Sequence, residues 1–483
     1  MTPSQQYRAI VTAYITTNPA CMASSLTSAC VVNSGHRIRR KVAHLVQQTA
    51  RSASIRTTAR VASDPDNRWL DRRQPMSSDR RLTTGARIAA YRRLNRLTQR
   101  SLAARANVSH SLLTKVETGA RPASQAFLAA CARAMSIPVT HLTGQPFIEE
   151  HSEDRLAGPL TDLRAALENF DLVLEDLPVR PLADIRPEVH EMLLARRDAQ
   201  YSRILGQAPA LIDELVQQSQ TLTGSEREQA HHLLAQLYRA AADVGYGLGL
   251  PDLVSLLLAR MEFSASRSGD PYQVATYRYM RAYSTFTTGR HEVGRKIIQV
   301  ALEDIDVGVR RKDPVALCAA GNLRLRASIL ATRQGAPDAA RSELAEARQL
   351  AHVLGREVRE SEMGTGYAGA MSFGTTNVAI HAAAVEMELG NHGQAVHLAR
   401  AVRMPNGYPP DRIGHHYIDM ARAQLWTGDR DGAMTSLQMA RRIAPQKTKY
   451  HPSVRETVAA LVHASRHAPD NLIGYANWVG VQL

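Results

Sequence analysis

The stretch Leu97–Gly119, LTQRSLAARANVSHSLLTKVETG, decides the reading of this 483-residue chain. Thr98 stands where a helix N-cap belongs, because a threonine hydroxyl can accept from a backbone N–H that a helix start leaves unpaired. Leu102, Ala103 and Ala106 then recur at helical spacing and define an inner face. Asn107 ends that helix, since asparagine tolerates the left-handed backbone. Ser109 caps a second short helix, which buries Leu112, Leu113 and Val116 and ends at Gly119. Where two short helices cross steeply over a tight turn, the contact requires a small residue, and Ala103 supplies it.

Outward from this core the punctuation continues. Ile88, Tyr91, Leu94 and Leu97 predict one apolar face of a preceding helix. Arg121-Pro122-Ala123-Ser124 restarts the chain into a fourth helix over 124–135, and Pro138 opens a fifth that ends near Gly144. Residues 81–144 therefore read as a five-helix DNA-binding domain of the helix-turn-helix kind. The Thr-Gln start, the Val-Ser turn and the Lys-Val-Glu-x-Gly end resemble the Xre family, the phage-repressor and Cro-like regulators. Asn107 departs from the glycine of many relatives but can take the same backbone. By position, the resemblance implies that Gln99 contacts a phosphate and that His110, Ser111, Thr114 and Lys115 face the major groove. Arg100, Ser109 and Arg121 join them as candidate DNA contacts. Glu117 is expected to orient a neighbouring arginine rather than touch DNA.

The charge supports a polyanion partner at one end of the chain. Net charge is +14, and residues 81–144 hold 10 Lys/Arg against one Asp/Glu. Residues 1–80 hold 12 against 4, whereas the rest of the chain is slightly acidic with 37 against 40. Residues 1–80 form a basic segment with no acid before Asp64, rich in Ser, Thr, Ala and Arg. It reads as a disordered arm, a transit-type segment, or an extension ahead of a true start at Met76. Arg37, Arg39, Arg40 and Lys41 would add nonspecific phosphate affinity. The four cysteines, Cys21, Cys30, Cys131 and Cys318, form no CxxC pair, so neither a metal site nor a disulfide framework is expected, and free thiols suit a reducing cytoplasm. No apolar run approaches the ~18 residues of a membrane helix.

Residues 145–225 read as linker and leading helices, near 154–170, 185–204 and 207–220, and residues 226–483 as helical repeats. Gly289, Gly335, Gly390 and Gly428 align as turns. Seven residues before them stand Ala282, Ser328, Ala383 and Ala421; five after stand Gly294, Ala340, Ala395 and Ala433. Ile298, Leu344, Ala399 and Leu437 follow, then Ala301, Ala347, Val402 and Ala440, and a weaker copy surrounds Gly249. Small residues where two helices cross and apolar ones where hairpins stack make a tetratricopeptide-like pattern. The glycine spacings are irregular, so divergent repeats in an all-α, right-handed solenoid with a concave groove are expected. The order of domains resembles actinobacterial Xre-type regulators with a long tetratricopeptide-like body, a resemblance carried by Gly374-Thr-Thr-Asn-Val-Ala, Ile443-Ala-Pro and His451-Pro-Ser-Val-Arg-Glu.

Thirteen residues before the turn glycines stand Thr276, Asn322, Asn377 and His415, with Tyr279 and Tyr283 on the same face. Asparagine amides both donate and accept, so a groove of this kind can clamp a peptide backbone; alternatively, the asparagines bridge neighbouring helices. Gly364-Thr-Gly-Tyr-Ala-Gly369 matches GxGxxG but lacks the preceding strand that a dinucleotide site needs, and it reads as an inter-repeat loop. No nucleophile, base and orienter assemble, and no cofactor is implied. The expectation is a homodimeric DNA-binding regulator, not an enzyme, whose repeats sense a peptide or small ligand or recruit a protein. The alternative is an interaction scaffold that the DNA-binding domain merely localises.

Overall fold

A computed structural model describes residues 82–147, 155–173, 177, 180–358, 372–465 and 467–481. The basic segment over residues 1–80, Cys21, Cys30 and the GxGxxG stretch lie outside the described residues. The described chain is all-α, with 21 helices and one isolated antiparallel bridge between Val358 and Phe373.

Five helices form an N-terminal head: α1 Thr84–Leu94, α2 Gln99–Ala106, α3 His110–Glu117, α4 Gln125–Met135 and α5 Val139–Thr143. Each boundary has a local cause. The hydroxyls of Thr83, Thr98, Ser109 and Ser124 accept from the N–H of Ala86, Ser101, Leu112 and Phe127 at 3.2, 3.1, 3.2 and 3.1 Å. Asn107 closes α2 at φ 53°, ψ 46°, the left-handed conformation expected of it. Ile88, Leu102, Ala103, Leu113, Val116, Phe127 and Leu128 lie in the single core of the head. Leu94 corrects the predicted apolar face: it is 63% exposed, because α1 ends there and turns it outward.

The body opens with α6 Ala157–Glu168, α7 Leu182–Arg197 and α8 Tyr201–Thr221. The break between the last two falls at Asp198–Gln200, with Ala199 left-handed at φ 55°, rather than near residue 205 as the sequence predicts. Five antiparallel hairpins follow: α9 Gly224–Leu248 with α10 Pro251–Ala265, α11 Pro271–Thr288 with α12 His291–Arg310, α13 Pro314–Arg333 with α14 Pro337–Leu354, α15 Thr375–Glu388 with α16 His392–Ala401, and α17 Pro410–Trp426 with α18 Arg430–Ile443. Gly249, Gly289, Gly335, Gly390 and Gly428 make their turns at φ between 67° and 84°, backbone that only glycine adopts at little cost. The aligned small residues Ala242, Ala282, Ser328 and Ala421 are fully buried at the crossings. Val402 departs from its aligned position in the core because α16 ends one residue earlier. Helices α19 Pro445–Tyr450, α20 Pro452–Ala464 and α21 Asp470–Trp478 complete the chain.

The first helices of the hairpins touch in series, α9 to α11, α11 to α13, α13 to α15 and α15 to α17. The series then returns on itself. Helix α17 meets α7 and α19 meets α9, and Gln446 accepts from the Ser202 N–H at 3.1 Å. The inner face is therefore a closed bowl rather than an open groove. The head lies over it, with α4 against α11 and α13 and α5 against α11.

Candidate nucleic-acid interface and the cavity behind it

Glu117, at the end of α3, organises the head. The Arg92 guanidinium donates to both its oxygens at 2.7 and 2.9 Å, and the Gln99 side-chain amide donates to it at 2.8 Å. Arg92 also reaches the Leu97 carbonyl at 3.0 Å. One carboxylate, 5% exposed, thus ties α1, α2 and α3 together. A glycine that the sequence gave no cause to single out completes the crossing: a Cβ on Gly85 would lie 2.1 Å from the Val116 carbonyl oxygen. Only glycine lets α1 approach α3 this closely.

The outward side of α3 carries His110, Ser111 and Lys115, all exposed, with Thr114 half-buried and its hydroxyl donating to the His110 carbonyl at 3.0 Å. These residues share one helix face. Arg100 is exposed at the start of α2, and Ser109 is exposed while its Oγ caps α3. Gln99 spends one amide N–H on Glu117 and keeps the other. Arg121 departs from the expected DNA-contacting set. Its guanidinium lies 4.1 Å from the Trp426 ring centroid on α17, where cation–π attraction holds it against the body. With the sole acid of residues 82–147 turned inward, every charged side chain on the outside of the head is basic.

Residues 84–142 match the helix-turn-helix domain family. The match covers the head and none of the body. No curated protein matches the chain. Among solved structures, the crystal structure of BtubC (BKLC) from P. vanneervenii aligns over 57% of this chain and 96% of that one, at 15% identity and a TM-score of 0.30. A likeness that low carries no argument.

The helix-turn-helix domain is fastened to the body on the side away from α3. Gln125 donates to the Ser453 hydroxyl at 3.0 Å, Arg133 donates to the Gly289 carbonyl at 3.1 Å, and the Ala123 N–H donates to Glu456. The His451-Pro-Ser-Val-Arg-Glu456 segment thus acquires a structural role: it is the seat of the helix-turn-helix domain. Arg455 adds to it by lying 4.1 Å over the Phe147 ring. Burial pushes the Glu456 carboxyl up to about 7, against the opposing Ala123 N–H and Arg422.

Between domain and bowl lies a cavity of about 330 Å³. Of the groove residues predicted from sequence, Tyr279, Tyr283 and His415 line it. Thr276, Asn322 and Asn377 do not. Thr276 is buried and its hydroxyl donates to the Tyr272 carbonyl at 2.8 Å. The Asn377 amide donates to Asn322 at 3.0 Å, and both amides reach the Ser372 carbonyl at 3.3 Å. The asparagines therefore bridge neighbouring helices. They reach the cavity through lining residues, among them Arg412, which donates to both of their side-chain oxygens at 3.2 Å.

The sequence did not single out the cations of this cavity. Eight Arg and Lys side chains line it against four Asp and Glu. In the near-neutral body, arginines spread over α7, α9, α13 and α17 look like surface charge, and only the packing of these helices around one space brings them together. Their field is visible on the uncharged groups. Burial alone raises a tyrosine's pKa, yet Arg326, Arg412 and Arg239 bring that of Tyr279 below its ordinary value. Burial, reinforced by Arg412, lowers His381 to about 3, and burial with Lys447 does the same to His415. Both imidazoles are neutral at pH 7.

Proposed function

We propose that this chain is a sequence-specific DNA-binding transcription regulator of the Xre type. It acts as a homodimer, and its tetratricopeptide-like body sets the placement of the two helix-turn-helix domains. The observation that carries the reading is the charge layout of the domain. Glu117 is consumed internally by Arg92 and Gln99, while α3 presents His110, Ser111 and Lys115 outward on a surface without acids. Backbone N–H groups at the starts of α2 and α3, together with Gln99 and Arg100, hold phosphates and fix register. Lys115 donates to guanine O6 and N7, and His110 and Ser111 reach neighbouring base edges.

One eight-residue recognition helix reads few bases, so two domains on a two-fold symmetric site supply the rest, with half-sites about one helical turn apart. No bond-making step belongs to this reading. The test is selection from random-sequence DNA by the full chain at physiological salt. The expected result is one enriched, two-fold symmetric site whose affinity falls steeply as salt rises. Equal retention of all sequences contradicts it.

A further inference from the structure

The four lining carboxylates are matched by nearby bases. Asp243 meets Arg196 at 3.1 Å, Glu388 meets Arg333 at 3.2 Å, Asp419 meets Arg422 at 3.0 Å and Asp411 meets Lys447 at 2.5 Å. Against those four carboxylates stand eight Arg and Lys side chains, so the lining as a whole carries cationic charge in excess. Arg326 is the most informative of them. Its guanidinium carbon lies 4.1 and 4.4 Å from the ring centroids of Tyr279 and Tyr283, and its buried Nε has no hydrogen-bond partner among the described residues. A guanidinium held against aromatic rings keeps its N–H donors in its own plane, and such donors take an oxyanion through parallel hydrogen bonds. In the same lining, His415 Nδ1 is also buried without a hydrogen-bond partner among the described residues. A buried, unanswered donor on a charged group is costly, and a ligand oxygen removes that cost.

We propose that this cavity binds a small organic oxyanion, a carboxylate or phosphate held by Arg326 with Arg412 and Arg239, and that the bound anion fastens the DNA-binding domain to the body. About 330 Å³ suits a metabolite-sized molecule, at the small end of ligand sites. The fastening follows from who lines the cavity. Gln125, Thr140, Thr143 and Gln145 of the helix-turn-helix domain face the same space as the body's arginines, so an occupant touches both. The depressed pKa of Tyr279, lowered by Arg326 and Arg412 against its burial, reports the same positive field. Only the consequence for DNA rests on the regulator reading; the binding chemistry stands without it.

The experiment uses the full chain and four probes: inorganic phosphate, pyrophosphate, citrate and adenosine monophosphate, each against potassium chloride at equal ionic strength. Binding is followed by the shift in thermal unfolding and by hydrogen exchange of the amides in α4 and α5. At least one probe is expected to raise Tm by several degrees and to slow exchange in α4 and α5 together with α13. Citrate and the phosphates separate the carboxylate and phosphate arms. Arg326→Ala should weaken the responding probe by about tenfold or more, Arg326→Lys should restore part of it, and Arg311→Ala, an exposed charge on α12's end, should respond as wild type. No response beyond chloride from any probe overturns the proposal, as does an Arg326→Ala protein that responds like wild type. If random-sequence selection returns no DNA site while a probe still protects α4, the regulator reading falls and the anion site stands. A DNA site without any probe response gives the converse.

Discussion

The helix-turn-helix domain and the hairpin body are both all helical, but they treat buried polarity in opposite ways. The domain has one interior acid, and it is answered: Glu117 takes three hydrogen bonds from Arg92 and Gln99. None of the described buried side-chain polar atoms that lack a partner falls in residues 82–147; all lie in the body, from His190 onward. A small domain with a single core needs its interior settled so that its outer face can be rigid and specific. The body distributes its core over several clusters along the hairpins and so tolerates a polar, unsettled centre.

Four substitutions can break or sharpen this contrast. The largest effect is expected for Glu117→Ala, which strands the part-buried Arg92 and should cost about 3–5 kcal/mol. Chemical denaturation should show the domain melting early while the helical signal of the body persists; a cost below about 1 kcal/mol removes Glu117 from its organising role. Asn377→Ala leaves Asn322 and Arg412 each short of a partner and should cost about 2 kcal/mol, read as a lowered Tm of the body alone. Trp426→Ala removes the seat of Arg121 and the stacking partner of His392, whose rings lie 4.7 Å apart. About 1 kcal/mol of docking should be lost, seen as faster exchange in α4 with unchanged exchange in α20.

The smallest effect concerns pH. The Glu456 carboxyl is raised to about 7 in the folded chain, above its ordinary 4.5. A raised carboxyl means that the docked state holds the proton more tightly than the undocked one, so its contribution is full below pH 4.5 and is lost as pH rises through 7. Protection of α4 should therefore decline between pH 5 and pH 8, and Glu456→Gln should flatten that decline. A wild-type profile already flat over this range contradicts the assignment.

How far the sequence reached depends on the range of the forces involved. The helix-turn-helix domain was legible nearly to the residue, because Thr98, Asn107, Ser109 and Ser124 act on backbone groups within three or four positions. The hairpin turns were legible for the same reason, since a left-handed turn calls for glycine. The break at Ala199 was not, because an alanine held at φ 55° carries no local signal. Gly85 was missed because its partner, the Val116 carbonyl, is remote in sequence. The bowl and its cations were illegible for a further reason. Helical periodicity cannot distinguish a polar face turned to solvent from one turned to an internal cavity, and Arg412 reaches the helix of Arg326 only when α13, α15 and α17 pack in series.

The most direct measurement is a comparison of wild type with Lys115→Ala on the DNA site returned by selection, by equilibrium titration across every base substitution in one half-site. The expected result is about a tenfold to hundredfold loss of affinity for the preferred site, with discrimination relaxed at a guanine position and nonspecific affinity little changed. Full retention of affinity and base preference by Lys115→Ala would contradict readout by α3 and, with it, the assignment of this surface as the DNA-reading face.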